Sequence, residues 1–353
     1  MKSQRFQNRQ KQIGVTLIEM MIALAIGLFM TAVISALYIN MRGSFRYQED
    51  FARLQENGRF AMEALTRDIR MAGYSGCGNL TYFANVVTPS SPPTPYLDFS
   101  TPVLGYEGGV STFPQAVVNA GVVAGTDAIV LLGVDTSSEL VVQNHHPASA
   151  QIDTNTHTTQ AGEILLITDC SHATLFQMTG PNSATKTNVV HNTGTGTPGN
   201  CYKYLGASCD SPEKSYQYKP GSSLLRIYSN AYFIKASSIG TGRSLYAMSM
   251  AGQLGGAPAA RELIEGVENM QISYGLDTNG DRAADQFVTA NNVAAADWTK
   301  VVSVRVSLLV SSTKDNITST VQTYEYNGAS VTAADRKLRK TFTESIAVRN
   351  RTP

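Results

Sequence analysis

Charge is scarce in this chain. Only 16% of its 353 residues are Asp, Glu, Lys or Arg, and 28 basic against 27 acidic side chains leave a formal net charge of +1. That balance excludes an overall field that would steer the molecule to nucleic acid or to an anionic membrane. Catalytic signatures are missing too: there is no GxxxxGK[ST] phosphate loop, no HExxH zinc helix and no GxSxG nucleophile elbow, and the five histidines are scattered. The expectation is a protein that is not an enzyme and requires no cofactor. The four cysteines form no CxxC pair, which removes the usual spacing of a structural zinc site. Beyond residue 76 no second apolar run is long enough to cross a membrane.

What the chain does have is strongly ordered along its length. Residues 1–14 carry Lys2, Arg5, Arg9 and Lys11 and no acid, and the apolar run from Val15 to Ile39 that follows has one ionisable group, Glu19. At about 1.5 Å per residue that run crosses about 30 Å of hydrocarbon as a helix. The basic flank predicts a cytoplasmic N-terminus and places everything after Ile39 on the far side. A carboxylate inside a spanning segment costs about 3 kcal/mol on insertion scales and calls for a partner. A cut between Gly14 and Val15 would create one, a new α-amino group four residues before Glu19. In a packed assembly the amine of one subunit would then neutralise Glu19 of another.

The segment Gly14-Val15-Thr16-Leu17-Ile18-Glu19, behind a short basic leader and ahead of an apolar helix, resembles the prepilin signal of type IV pilins and type II secretion pseudopilins. The resemblance implies that prepilin peptidase removes residues 1–14 and methylates the amine of Val15, and that Glu19 is the acid needed for subunit incorporation. Val15 stands where major pilins most often carry Phe.

Past the membrane, residues 40–75 continue the helix. Residues 40–72 contain no Pro, and Phe51, Leu54, Gly58, Ala61, Leu65, Ile69 and Ala72 recur at spacings of three and four, with Arg53, Glu56, Arg59, Glu63, Arg67 and Asp68 on the other faces. One helix from Val15 to about Ala72, roughly 85 Å long, is predicted, with Gly73 as its stop. The runs Gln55-Glu56-Asn57, Arg67-Asp68-Ile69-Arg70 and Ala72-Gly73-Tyr74, followed by a Cys, are similar to those of PilW-type minor pilins.

Residues 76–353 read as a β-rich domain. Strands are predicted at 127–134, 163–169, 173–179, 223–234, 268–276 and 300–311, the last with Val302, Val304, Val306, Leu308 and Val310 on one face and Ser303, Arg305 and Ser307 on the other. The Pro-rich stretch 89–95 and the Thr/Gly-rich stretch 192–200 read as loops, and about 89–220 as an inserted lobe. The segments 262–276 and 336–350 resemble PilW-type proteins more loosely. The fold class expected is α+β: a long N-terminal helix, half transmembrane and half amphipathic, packed on a mostly antiparallel pilin-like sheet with an elaborated insertion.

Four further sets of residues carry chemistry. Cys77, Cys170, Cys201 and Cys209 all lie beyond the membrane, where an oxidising compartment favours disulfides. Three pairings are open, and local spacing favours Cys201 with Cys209 and Cys77 with Cys170. Asp277, Asn279, Asp281 and Asp285 alternate around a Gly turn in the manner of a calcium loop, although Arg282 and Val288 occupy positions where such a loop has Gly and Glu. Calcium and a plain polar hairpin are both compatible with that run. Tyr202, Lys203, Tyr204, Tyr216 and Tyr218 interleave aromatic and basic groups as a surface that would stack on bases or sugars. His145 and His146, before Pro147, read as solvated loop residues.

By resemblance, the chain is a structural minor pilin that primes or caps type IV pilus assembly in support of twitching motility, adhesion or DNA uptake. The partners implied are other minor pilins, the major pilin, a tip adhesin, the inner-membrane assembly platform and prepilin peptidase. The implied location is the bacterial inner membrane, then periplasm and pilus. A minor pseudopilin of a type II secretion system and a pilus-tip module that binds DNA or glycans stay open beside it.

Overall fold

The structure, a computed structural model, describes residues 14–77, 82–89, 97–109, 113–194, 196–210, 215–240, 242–250 and 259–350. The basic leader up to residue 13 and most of the Pro-rich stretch 89–95 lie outside the described residues. A single helix, α1 (Leu17–Met71), runs unbroken from the apolar segment into the amphipathic one. Its 55 residues make it about 82 Å long. Thr16 caps the start, and the chain leaves the helix through Ala72 and Gly73, whose φ of +75° suits a residue without Cβ. Among the described residues this is the one helix long and apolar enough to cross a membrane, and none of its most apolar window is buried.

The rest is mostly antiparallel sheet. The strands are β1 (Tyr82–Asn85), β2 (Val103–Tyr106), β3 (Ala128–His146), β4 (Gln151–His157), β5 (Ile164–Thr168), β6 (His172–Gln177), β7 (Lys186–Val190), β8 (Ser223–Ala236), β9 (Arg243–Ser249), β10 (Ala260–Glu265), β11 (Val267–Leu276), β12 (Gln286–Thr289), β13 (Val301–Ser311), β14 (Thr323–Tyr326), β15 (Ala329–Thr332) and β16 (Arg339–Ala347). A ten-stranded sheet follows the order β1-β6-β5-β8-β3-β4-β7, with β2 on β3 and the pair β9-β10 on β8. A four-stranded sheet, β12-β11-β13-β16, carries the helix. The pair β1-β6 is parallel and the other pairings among the described strands are antiparallel. Strands β3 to β7 fall within the stretch 89–220 expected as an inserted lobe, and β3 and β5 pair directly with β8 of the large sheet.

The sequence pattern explains the packing. Val304, Val306, Leu308 and Val310 of β13 are buried while Arg305 is exposed, as a period of two requires. Leu54, Gly58, Ala61, Leu65, Ile69 and Ala72 face that sheet and join one core with Met270, Ile272, Tyr274 and Ile346. A second core, with Leu140, Ile152, Leu165, Phe176 and Leu224, fills the far side of the large sheet. Two positions read as solvated are inside. Asp68 is 7% exposed because its carboxylate accepts from Tyr232 and Asn230 of β8, which fixes the helix to the large sheet. His145 is 1% exposed because β3 continues through it, so strand alternation points His145 inward and His146 outward.

Candidate assembly site

The N-terminal turn builds a capping box. Thr16, extended at φ −77° and ψ 152°, accepts the amide of Glu19 on its hydroxyl at 3.3 Å. Both the backbone N–H and the hydroxyl of Thr16 donate to Glu19 Oε2 at 2.9 Å. This reciprocal arrangement satisfies donors that a helix start leaves orphaned. It escaped the sequence reading although its signal was present, since Thr16-Leu17-Ile18-Glu19 is itself the S/T-x-x-E pattern. Glu19 Oε1 has no hydrogen bond among the described residues, and the side chain is exposed. The Gly14–Val15 bond lies just outside the helix, in exposed non-helical backbone, with nothing within 4 Å of the place a Gly14 Cβ would occupy.

Beyond that turn the helix offers an uncovered apolar cylinder. Leu17, Ile18, Leu24, Leu28, Phe29, Ile34 and Leu37 are all more than half exposed. No segment of the described chain folds back over them, so they are matched to lipid or to apolar helices of other molecules. The outer half is anchored differently. Gly58 lies against the Phe342 ring of β16, Asn57 Nδ2 donates to the Glu265 carbonyl at 3.1 Å, and Asn350 Nδ2 donates to the Ala72 carbonyl at 3.0 Å.

The cysteines join as Cys77–Cys170, with Cα atoms 5.3 Å apart, and Cys201–Cys209, at 5.8 Å. The first ties the exit of α1 to the turn between β5 and β6. The calcium-type run is a closed polar loop between β11 and β12. Asp277 accepts the amides of Gly280 and Arg282, and Asp285 accepts the amide and hydroxyl of Thr278. Asn279 donates to Asp281 and Asp285. Among the described residues no group of three or more His, Cys, Asp or Glu is placed to hold a metal ion, so the calcium ligand set is not assembled. Its side chains are occupied in capping their own turn.

The aromatic surface is corrected in part. Tyr218 is 1% exposed, bonded through its hydroxyl to Thr174 at 2.7 Å, and burial raises its phenol well above the ordinary value. Tyr216 stacks on His172 at 3.9 Å and donates to Asp169. Those two rings are committed inward because strand-like alternation after residue 215 carries them onto the second core. Tyr202, Lys203 and Tyr204 stay half-exposed, with Lys203 Nζ 4.8 Å from the centre of the Tyr204 ring.

Comparison with known proteins agrees with this geometry at the two ends of the chain. Residues 9–35 match the family model of the prokaryotic N-terminal methylation motif. That match spans the Gly14–Val15 bond, Glu19 and most of the apolar run that follows. Residues 231–350, which run from β8 through β16, match the family model of Type IV Pilus-assembly protein W. The chain is thus similar to that family over its C-terminal third. No curated protein matches it. Among solved structures, a type IV-like pilin from Thermus thermophilus is similar at 17% identity over 36% of this chain and 70% of that one, with a TM-score of 0.23, too low an overlap to support any further argument.

Proposed function

We propose that this protein is processed after Gly14 by prepilin peptidase, methylated at Val15, and built into a type IV pilus as a minor subunit that primes or caps the filament. The observation that carries the reading is α1 itself: one rigid helix with its outer half fixed to the sheets and its inner half wholly exposed and apolar. Such a helix loses its exposed apolar area only in a bilayer or in a bundle of like helices. Before assembly the subunit sits in the inner membrane with its sheets in the periplasm. In the filament, Glu19 sets the axial register by pairing its free Oε1 with the N-terminal amine of a neighbour, a role suited to a buried ion pair. Other minor pilins, the major pilin, a tip adhesin and the assembly platform are the partners of that state. No catalysis is part of this role.

Glu19→Ala is expected to leave membrane insertion intact and to lower recovery in sheared filaments at least tenfold. Mass spectrometry of the N-terminus reads the processing in the same samples: a chain that starts at Val15 is expected in both membranes and filaments. Undiminished filament recovery of Glu19→Ala, or an uncut N-terminus in filaments, would sink the reading.

A further inference from the structure

Asp50 occupies a position that the core stripe of α1 would give to an apolar residue. It lies four residues before Leu54 and eight before Gly58, on the face turned to the sheets, and is 4% exposed. Yet its carboxylate takes no hydrogen bond and no ion pair among the described residues. It lines a recess of about 500 Å³ between α1, the end of β10 and the end of β13. Arg53, three residues further along the same helix, lines the recess, but its guanidinium is bound to Glu49 at 2.9 Å and its side chain is 66% exposed. Glu56 and Glu265 also line the recess, so with Asp50 it holds three acids against the one arginine.

A carboxylate held at 4% exposure, open only to the recess, keeps little of its hydration, and a cation seated beside it supplies the partner it lacks. We propose that this recess is a socket for a lysine or arginine side chain of a neighbouring pilus subunit. The inference rests on the reading of the chain as a filament subunit. The recess suits such a guest in three ways. Its lining is mostly polar, with Ser311, Ser312 and Thr313 opposite the helix. Its charge is acidic. It also opens along residues 50–57 of α1, within the outer half that continues from the exposed apolar segment adjacent subunits would pack against. Asp50 therefore selects a basic partner and fixes its level along the helix.

The test compares full-length wild type with Asp50→Asn and Asp50→Arg in the assembling host. Three quantities are read: recovery in sheared filaments, co-purification of neighbouring prepilin-motif subunits from solubilised membranes, and the thermal midpoint of the detergent-purified chain. Asp50→Asn is expected to unfold at or above the wild-type temperature while co-purification and filament recovery each fall at least tenfold, and Asp50→Arg to fall further. Wild-type co-purification of Asp50→Asn overturns the socket. So does a thermal midpoint well below wild type, which would make Asp50 a support of its own fold. Stabilisation of the wild type by Mg²⁺ or Ca²⁺ that Asp50→Asn abolishes, with co-purification unchanged, overturns it in favour of an ion site. A wild type absent from filaments overturns the minor-pilin reading instead, and co-purification from membranes still decides the socket.

Discussion

Gly58 shows how one residue sets the angle at which the long helix meets the sheet. A Cβ built there would lie 2.3 Å from Phe342 Cε2 and under 3 Å from two further atoms of that ring. In an exposed helix, Gly→Ala gains about 1 kcal/mol of helix propensity. Here the overpacking it forces costs about 1–3 kcal/mol, because the half-buried Phe342 ring of β16 lies against Gly58 and must turn or push the helix away. Gly58→Ala is therefore expected to lower the unfolding free energy, and the double variant with Phe342→Leu to recover part of the loss. Denaturant midpoints of the full-length chain in detergent check both; a stabilised single variant would refute the contact. In the sequence this glycine reads only as one member of the helix stripe, since nothing local reveals the ring opposite.

At the scale of elements, what was legible and what was not divide along a physical line. The six predicted strands are all present, because each is a dense apolar or alternating run whose pattern is local. The short strands β4, β7, β14 and β15 carry polar residues such as Asp153, Asn188 and Glu325, and exist because a neighbour supplies their ladder. Asp68 was read as solvated since its partners, Tyr232 and Asn230, lie more than 160 residues away. The same distance argument ranks the disulfides. Cys77–Cys170 closes a loop with a sequence separation of 93 and Cys201–Cys209 one of 8. In the chain-entropy picture these restrict the unfolded chain by about 4.7 and about 2.5 kcal/mol. Replacing the first pair by serine is thus expected to destabilise by about 2 kcal/mol more than replacing the second, measured as unfolding free energies under oxidising conditions. The opposite ranking would mean that native contacts, and not loop closure, govern these bridges.

For the molecule as a whole, acid should loosen the far core before it loosens the helix. His145 and His191 face each other there at 5.4 Å between ring centres, beside Phe176 and Tyr218. Burial pulls them down to about 4 and about 3. His145 Nδ1 accepts the Tyr218 amide at 3.1 Å, so its Nε2 carries the hydrogen and offers no lone pair to a metal. Asp127, between the two sheets, is pushed the other way by burial, up to about 7, although the amides of Ile272 and Gly108 donate to it. The signs oppose. Below pH 6.5 the unfolded chain protonates its histidines while the folded chain keeps both neutral, so their contribution is complete above 6.5 and is lost as pH falls. Between pH 7 and 3.8 the folded chain holds a proton on Asp127 that the unfolded chain lacks, so that contribution grows as pH falls. His157, which burial also pulls down, acts in the same sense as His145 and His191, so against Asp127 the balance is a loss of stability as pH falls from 6.5 towards 4. His191→Leu removes one of these protonations and is expected to flatten the profile across that window. Unfolding free energies of wild type and variant at pH 7, 6, 5 and 4.5 check this, and parallel curves would show that protonation of His191 is not what weakens the core.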